Sequence, residues 1–214
     1  MINIIQVVSV VDANCIGCKQ CDQVCPTEAI KTVDRLARVD TERCTGCNKC
    51  IEACMDHRAI KREFLDAPRH VSTDCRTVDR AAMERICAAA RLDPQESICL
   101  CTATTAGEVA AAILKGGTTP EAVSTMTGVR GVCAIWCTGP VMRLLEAAEV
   151  KVARSPRDWR VYPEHAGMAI GIWSVSAEVA DKYPEYRIRE NQERLKHARI
   201  EVPMFANIER TVSK

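Results

Sequence analysis

"CIGCKQCDQVCP" occupies residues 15–26 and "CTGCNKCIEAC" residues 44–54. Both runs space four cysteines as C-x2-C-x2-C-x3-C, and the second starts 29 residues after the first. Aligned, they superpose Cys15 on Cys44, Gly17 on Gly46, Cys18 on Cys47, Cys21 on Cys50 and Cys25 on Cys54, and then Ala29-Ile30 on Ala59-Ile60. Such an internal duplication predicts two equivalent halves, a pseudo-two-fold pair of βαβ units. The flanking segments fit. "IIQVVSVV" is a strand candidate, and "AIKTVDRLARVD" reads as two short strands about a turn at Asp34–Leu36. "AIKREF", after the second run, is placed to pair with the N-terminal strand. The cysteine runs themselves read as loops leading into short helices.

The chain has 214 residues, enough for one or two domains with real cores. Its 29 basic and 28 acidic residues nearly cancel, which leaves no clustered basic footprint for nucleic acid. Aromatic residues, at 4%, are too few for base-stacking platforms. Cysteine stands out, with 14 copies. A secreted chain would use them as a disulfide framework, but "MINIIQVVSVVDAN" has neither the basic start nor the cleavage site of a signal peptide. There is no twin-arginine leader and no apolar stretch of membrane-spanning length. The most apolar late segment, "GMAIGIWSVSAEVA", is interrupted by Ser174, Ser176 and Glu178. A cytoplasmic chain this rich in thiols is expected to be a metal protein.

The first run continues into a proline, giving C-x2-C-x2-C-x3-C-P, and here the chain resembles the bacterial ferredoxins with two [4Fe–4S] clusters, over residues 1–64. Three close cysteines on a curling loop reach three irons of one cube, and the fourth lies too far along and serves the other cluster. Cluster one then takes Cys15, Cys18, Cys21 and Cys54, and cluster two takes Cys44, Cys47, Cys50 and Cys25. Gly17 and Gly46 fit the same picture, since a side chain there would crowd the inorganic core. Zinc is the competing occupant, but it is more often held by paired C-x2-C units than by three successive ligands. The second run departs from the pattern: Met55 follows Cys54 where Pro26 follows Cys25, and "MDHRAI" is one residue longer than "PTEAI".

A second pattern, C-x-C-x31-C-x3-C, comprises Cys99, Cys101, Cys133 and Cys137. Two close pairs of thiolates suit a [2Fe–2S] rhomb. The intervening sequence is helical. Thr105 with Glu108 forms a capping box ahead of "VAAAILK", with Gly116 as its stop. Thr119-Pro120 opens "PEAVSTMT", which Gly128 ends. Pro140 opens "PVMRLLEAA", with Val141, Leu144, Leu145 and Ala148 on one face. Cys101 and Cys137 precede helix N-termini, whose positive ends favour a centre that gains negative charge. Residues 99–150 resemble the bacterioferritin-associated ferredoxin-like [2Fe–2S] module, with "AIW" between the last two cysteines where that family usually has glycine. Trp136 would then shield the cluster or face a partner. A structural zinc remains the alternative for this site.

The fold expected is α+β: a ferredoxin-like pseudo-two-fold βαβ dicluster domain (1–64), a helical connector (65–98), a small all-α [2Fe–2S] domain (99–150) and an extended C-terminal docking tail (151–214). In the connector, "TVDRAAMERICAAARL" is a helix that places Cys87 on its apolar face as a small hydrophobe. Cys75 has no partner at metal-ligand spacing, so a redox role stays open beside a structural one. His57, His70, His165 and His197 are scattered, and His57 follows Cys54 closely enough to tune a cluster. No Gly-rich nucleotide loop and no nucleophile–base constellation stands out. In the tail, Ile188 and Leu195 form a thin helical stripe. Pro203, Met204, Phe205 and Ile208 read either as part of a solvated end or as a docking arm.

Three four-thiolate clusters at about −2 each take the formal +1 to roughly −5. Two functions fit. One is a non-catalytic iron–sulfur subunit of a larger oxidoreductase, relaying electrons between a flavoprotein or metal-containing catalytic subunit and an external carrier. The resemblance to the helical [2Fe–2S] module implies this, because that module recurs in flavoprotein oxidoreductases. The other is a free carrier or redox-sensing protein, whose C-terminal cysteine site is a [2Fe–2S] sensor or a structural zinc. Exposed apolar surface at Trp136, Trp159 or the tail marks the first; a surface polar throughout marks the second.

Overall fold

The computed structural model describes residues 2–152, 175 and 177–196. These fall into two compact units, divided between Ala169 and Ile170. The first unit opens in the order that the duplication predicts: β1 (Ile2–Val10), α1 (Gln20–Val24), β2 (Ile30–Val33), β3 (Leu36–Val39), α2 (Lys49–Ala53) and β4 (Ile60–Val71). β1 pairs antiparallel with β4, Val10 opposite Ile60 and Gln6 opposite Phe64. β2 and β3 form a hairpin closed by Asp34 and Arg35. Both turn residues take positive φ (49° and 64°), the two-residue geometry whose twist matches that of the flanking strands. Ile4, Val7, Val8, Ile30, Ala37 and Ile60 fill the space between the ribbons and the two short helices.

β4 runs past position 64 to Val71 and carries Pro68. Its register against β1 shifts between Ile4 and Gln6, so the proline lies where the ladder is already broken. The connector is therefore helical only in part: a strand end and a 3-10 turn (Cys75–Thr77) precede α3 (Arg80–Ala89).

The following region is not purely α-helical. β5 (Ser97–Cys99) and β6 (Thr104–Thr105) form a small antiparallel ribbon ahead of α4 (Ala106–Leu114), α5 (Pro120–Thr127) and α6 (Thr138–Ala147). This corrects the all-α expectation, and the reason is local. Cys99 ends β5 and Cys101 lies in the tight turn that folds the chain back into β6. The helix signals hold. Thr105 and Thr119 side chains accept from Glu108 N and Ala122 N at 3.2 and 3.0 Å. Gly116 N and Gly117 N close α4 on the Ile113 and Ala112 carbonyls, each at 2.9 Å, a Schellman stop. Gly128 ends α5 at φ +77°. α6 starts two residues before Pro140, with Cys137 at its N-cap. α3, α4, α5 and α6 share a core of Met83, Ile86, Val109, Val123, Leu144 and Leu145.

The described part of the second unit is two helices, α7 (Ala177–Lys182) and α8 (Ile188–Lys196), rather than an extended tail. An Arg189–Asp181 ion pair at 2.5 Å joins them. Trp159, Pro203, Met204, Phe205 and Ile208 lie outside the described residues, as do His165 and His197. Among the described residues no helix is long and apolar enough to cross a membrane.

Leu144 is fully buried at the centre of the helical core. Leu144→Ala is expected to cost about 3 kcal/mol, and Thr119→Ala, which removes only a cap, about 1 kcal/mol. Thermal unfolding of the full chain should rank the midpoints wild type, Thr119→Ala, Leu144→Ala; equal midpoints for the two variants would contradict this packing.

Candidate metal centres

The repeated sequence repeats its backbone. Gly17 and Gly46 take φ +70° and +65°, and Lys19 and Asn48 take 65° and 62°. These left-handed positions curl each loop before α1 and α2 begin. Asparagine adopts them readily, whereas Lys19 does so at a cost of roughly 1 kcal/mol. A Cβ on Gly17 would stand 2.5 Å from the Arg35 carbonyl oxygen, and one on Gly46 would collide with the Gln6 carbonyl oxygen. The nearest obstacle is thus the protein's own hairpin and first strand, not only an inorganic core as the spacing implies.

Two cavities follow from the pseudo-two-fold. Cys25, Cys44, Cys47 and Cys50 line one, together with Val8 and Thr27. Cys15, Cys18, Cys21 and Cys54 line the other, together with Thr32 and His57. Their empty spaces, openings included, are about 330 and 340 Å³. Each cavity combines the first three cysteines of one run with the fourth of the other.

Backbone amides point at the sulfurs: Ala29 N donates to Cys25 Sγ at 3.2 Å and Ala37 N to Cys15 Sγ at 3.4 Å. Burial dominates the thiols' acidity. It pushes Cys21 up to about 12, aided by the hydrogen bond to Asp22, and it raises Cys44, Cys47 and Cys50. Amides of Gly46 and Val8 and the Arg69 cation pull Cys44 the other way. Such thiols become thiolates when a cationic core replaces the proton, which is the chemistry of an iron–sulfur site.

Cys99 ends β5, Cys101 sits in the turn to β6, Cys133 lies in the loop after α5, and Cys137 caps α6. The sulfurs pair across the two segments. Cys101 Sγ donates to Cys133 Sγ at 3.5 Å. Cys99 is held down to about 5, first by its hydrogen bond with Cys137, while Cys137 is pushed up by the same bond and by burial. The Arg130 amide faces both Cys99 and Cys137. Its guanidinium is buried against Glu121 at 3.3 Å and Ser124 Oγ at 3.4 Å, which fixes the backbone that aims the amide. The N-terminal end of α6 adds positive partial charge at Cys137. Cys101 is exposed, and around it Leu100, Ile135 and Trp136 are 69%, 61% and 81% exposed.

Several residues escape a reading by spacing. Asp22 accepts from Thr32 N at 2.8 Å and Thr32 Oγ1 at 2.7 Å, beside Cys21. Arg69 donates to the Thr41 and Cys44 carbonyls at 2.8 and 2.5 Å. Nothing in the local sequence marks Arg69, because strand pairing alone brings it to that loop. Cys87 is fully buried in the helical core, and Cys75 packs against the same core from its edge.

Comparison with known proteins agrees with this division. The 4Fe-4S dicluster domain family matches residues 8–55 and the BFD-like [2Fe-2S] binding domain family matches residues 97–147. The chain is thus a 4Fe-4S dicluster domain fused to a BFD-like [2Fe-2S] domain, and its cofactors are two [4Fe–4S] clusters and one [2Fe–2S] cluster. That defines an iron–sulfur protein of electron transfer. A subunit of an ion-translocating oxidoreductase complex from Methanosarcina acetivorans is 44% identical over 46 residues, a match covering 22% of this chain and 17% of that protein. No solved structure matches.

Gly17→Ala and Gly46→Ala are each expected to lose about four of the ten irons, whereas Gly139→Ala, whose Cβ meets nothing within 4 Å, keeps them all. Iron and acid-labile sulfide per chain decide it; full iron in the first two would show that both loops tolerate a side chain.

Proposed function

We propose that the chain is the non-catalytic electron-transfer subunit of a multi-subunit oxidoreductase, working between a flavin- or metal-containing catalytic subunit and an external carrier. The clusters supply one-electron redox chemistry when bound. Cys15, Cys18, Cys21 and Cys54 hold one [4Fe–4S] cluster, Cys44, Cys47, Cys50 and Cys25 the other, and Cys99, Cys101, Cys133 and Cys137 the [2Fe–2S] cluster. Among the described residues, backbone amides and the Arg69 cation face those sulfurs, and six of the twelve cysteines are buried.

The observation that carries the subunit reading is the rim of Leu100, Ile135 and Trp136 around Cys101. An exposed tryptophan flanked by aliphatic side chains is costly for a freely diffusing carrier and is the composition of an interface hot spot. The likeness of a 46-residue stretch to a subunit of an oxidoreductase complex supports the same reading. None of the fourteen cysteines is joined in a disulfide, which leaves all twelve of the proposed ligands available to the clusters.

Trp136→Ser should leave the iron content and spectra intact yet weaken association with co-purifying subunits by about 30-fold, the effect of losing roughly 2 kcal/mol at a hot spot. A wild-type chain that purifies anaerobically as a lone, fully loaded monomer, indifferent to this change, would favour the free carrier or sensor instead. The crossed ligand sets have their own check. Cys54→Ser should perturb the same EPR signal as Cys18→Ser, and Cys25→Ser the same as Cys47→Ser. Pairing by run rather than by cavity would overturn the assignment.

A further inference from the structure

Lys49 lies between Cys47 and Cys50 at the start of α2, and its partly buried Nζ donates to the Cys133 carbonyl at 3.0 Å. One side chain of the second cysteine run therefore reaches the loop that carries a cysteine of the helical module, 84 residues away. The equivalent position in the first run is Gln20, which is exposed. Three further contacts join the modules near the β1–β4 ribbon. Ile2 packs on Gly128 so closely that a Cβ there would collide with it. Thr73, just beyond β4, donates from its amide to Glu108 Oε1 at 3.1 Å and from its hydroxyl to the Met126 carbonyl at 2.9 Å.

Exposure follows the same order. Of the twelve cysteines in the three sites, only Cys18 and Cys101 are exposed. Cys25, Cys44 and Cys50 are buried and Cys47 half-buried. We infer that Lys49 is a positioning residue that clasps the [2Fe–2S] loop to the Cys25/Cys44/Cys47/Cys50 site, making that site the middle member of a series whose accessible ends are at Cys18 and Cys101. The inference rests on the ligand sets proposed above. The ammonium adds a second property. It sits between two centres that each become more negative on reduction, and a fixed cation there stabilises both reduced forms.

The test uses the full chain, purified without oxygen, as wild type, Lys49→Met and Lys49→Arg, each first shown to hold its full iron and sulfide. Redox titration followed by EPR reads the midpoint of each centre, and the spin relaxation of the reduced [2Fe–2S] signal reads its magnetic neighbour. Lys49→Met should lower the midpoints of the [2Fe–2S] centre and of the cluster perturbed by Cys47→Ser, leaving that of the Cys18 cluster in place. It should also weaken the relaxation enhancement several-fold, and Lys49→Arg should restore both. Unchanged midpoints and relaxation in a fully loaded Lys49→Met, or a shift in the Cys18 cluster instead, would overturn the clasp while leaving the ligand sets standing. A wild-type chain with zinc in place of the [2Fe–2S] signal would overturn the ligand reading and the clasp with it.

Discussion

The fourth thiol of each cysteine run lies in the cavity of the other run, and the rest of the first module depends on that exchange. Neither half can surround a centre alone. Cys25 stands beyond the end of α1 and Cys54 beyond the end of α2, so the two short helices must pack side by side for either cavity to close. Five-residue helices are not stable by themselves. They form here because the β1–β4 ribbon and the β2–β3 hairpin hold their loops, and because the cavities give them something to enclose. A small core of Ile4, Val7, Val8, Ile30 and Ile60 is modest support for this module, and the bound clusters contribute the remainder, as metals commonly do for domains of this size.

Electrostatics decides how such a chain tolerates its own cofactors. Buried thiols resist ionisation, yet every ligand must be a thiolate, and each four-thiolate cluster brings about −2. The formal charge of +1 gives no hint of this. Compensation is local and directional: amides aimed at Cys15, Cys25 and Cys44, the Arg130 amide at Cys99 and Cys137, and the start of α6 at Cys137. The two halves of the duplication have diverged in this respect. Asp22, fastened by Thr32, lies beside Cys21, where the second half has Ile51; Arg69 grips the Cys44 loop from β4. Equal spacing of ligands therefore does not imply equal centres.

Much of this was legible in the sequence, because ligand spacing and helix caps are local. The duplication and the flanking apolar runs predicted the strand order and the pairing of "AIKREF" with the N-terminal strand. Thr105, Thr119 and Gly128 marked the helix boundaries where they fall. Other features were not legible, since they depend on contacts remote in sequence. The β5–β6 ribbon is a local exception: Ser97 and Cys99 pair with Thr105 and Thr104, but strands of three and two residues are too short to show an alternation in helix-rich sequence. Thr105 accepts from the Glu108 amide as the capping box requires, but the Glu108 carboxylate also reaches the Thr73 amide, 35 residues away. Lys19 at positive φ follows from the loop's curl and not from its own preference.

The segment between the modules is not a loose linker, and this bears on how the modules sit together. A flexible tether would let two redox domains meet by diffusion, with a separation that varies from moment to moment. Here β4 carries the ferredoxin ribbon up to Val71, Thr73 bonds to both α4 and α5, and α3 supplies Met83, Ile86 and Cys87 to the helical core. The joint is built from the same strands and helices as the modules it connects. A joint of shared core and shared hydrogen bonds instead holds the two modules at one separation. Among the described residues, the exposed apolar side chains of Leu100, Ile135 and Trp136 belong to the [2Fe–2S] module and not to the joint.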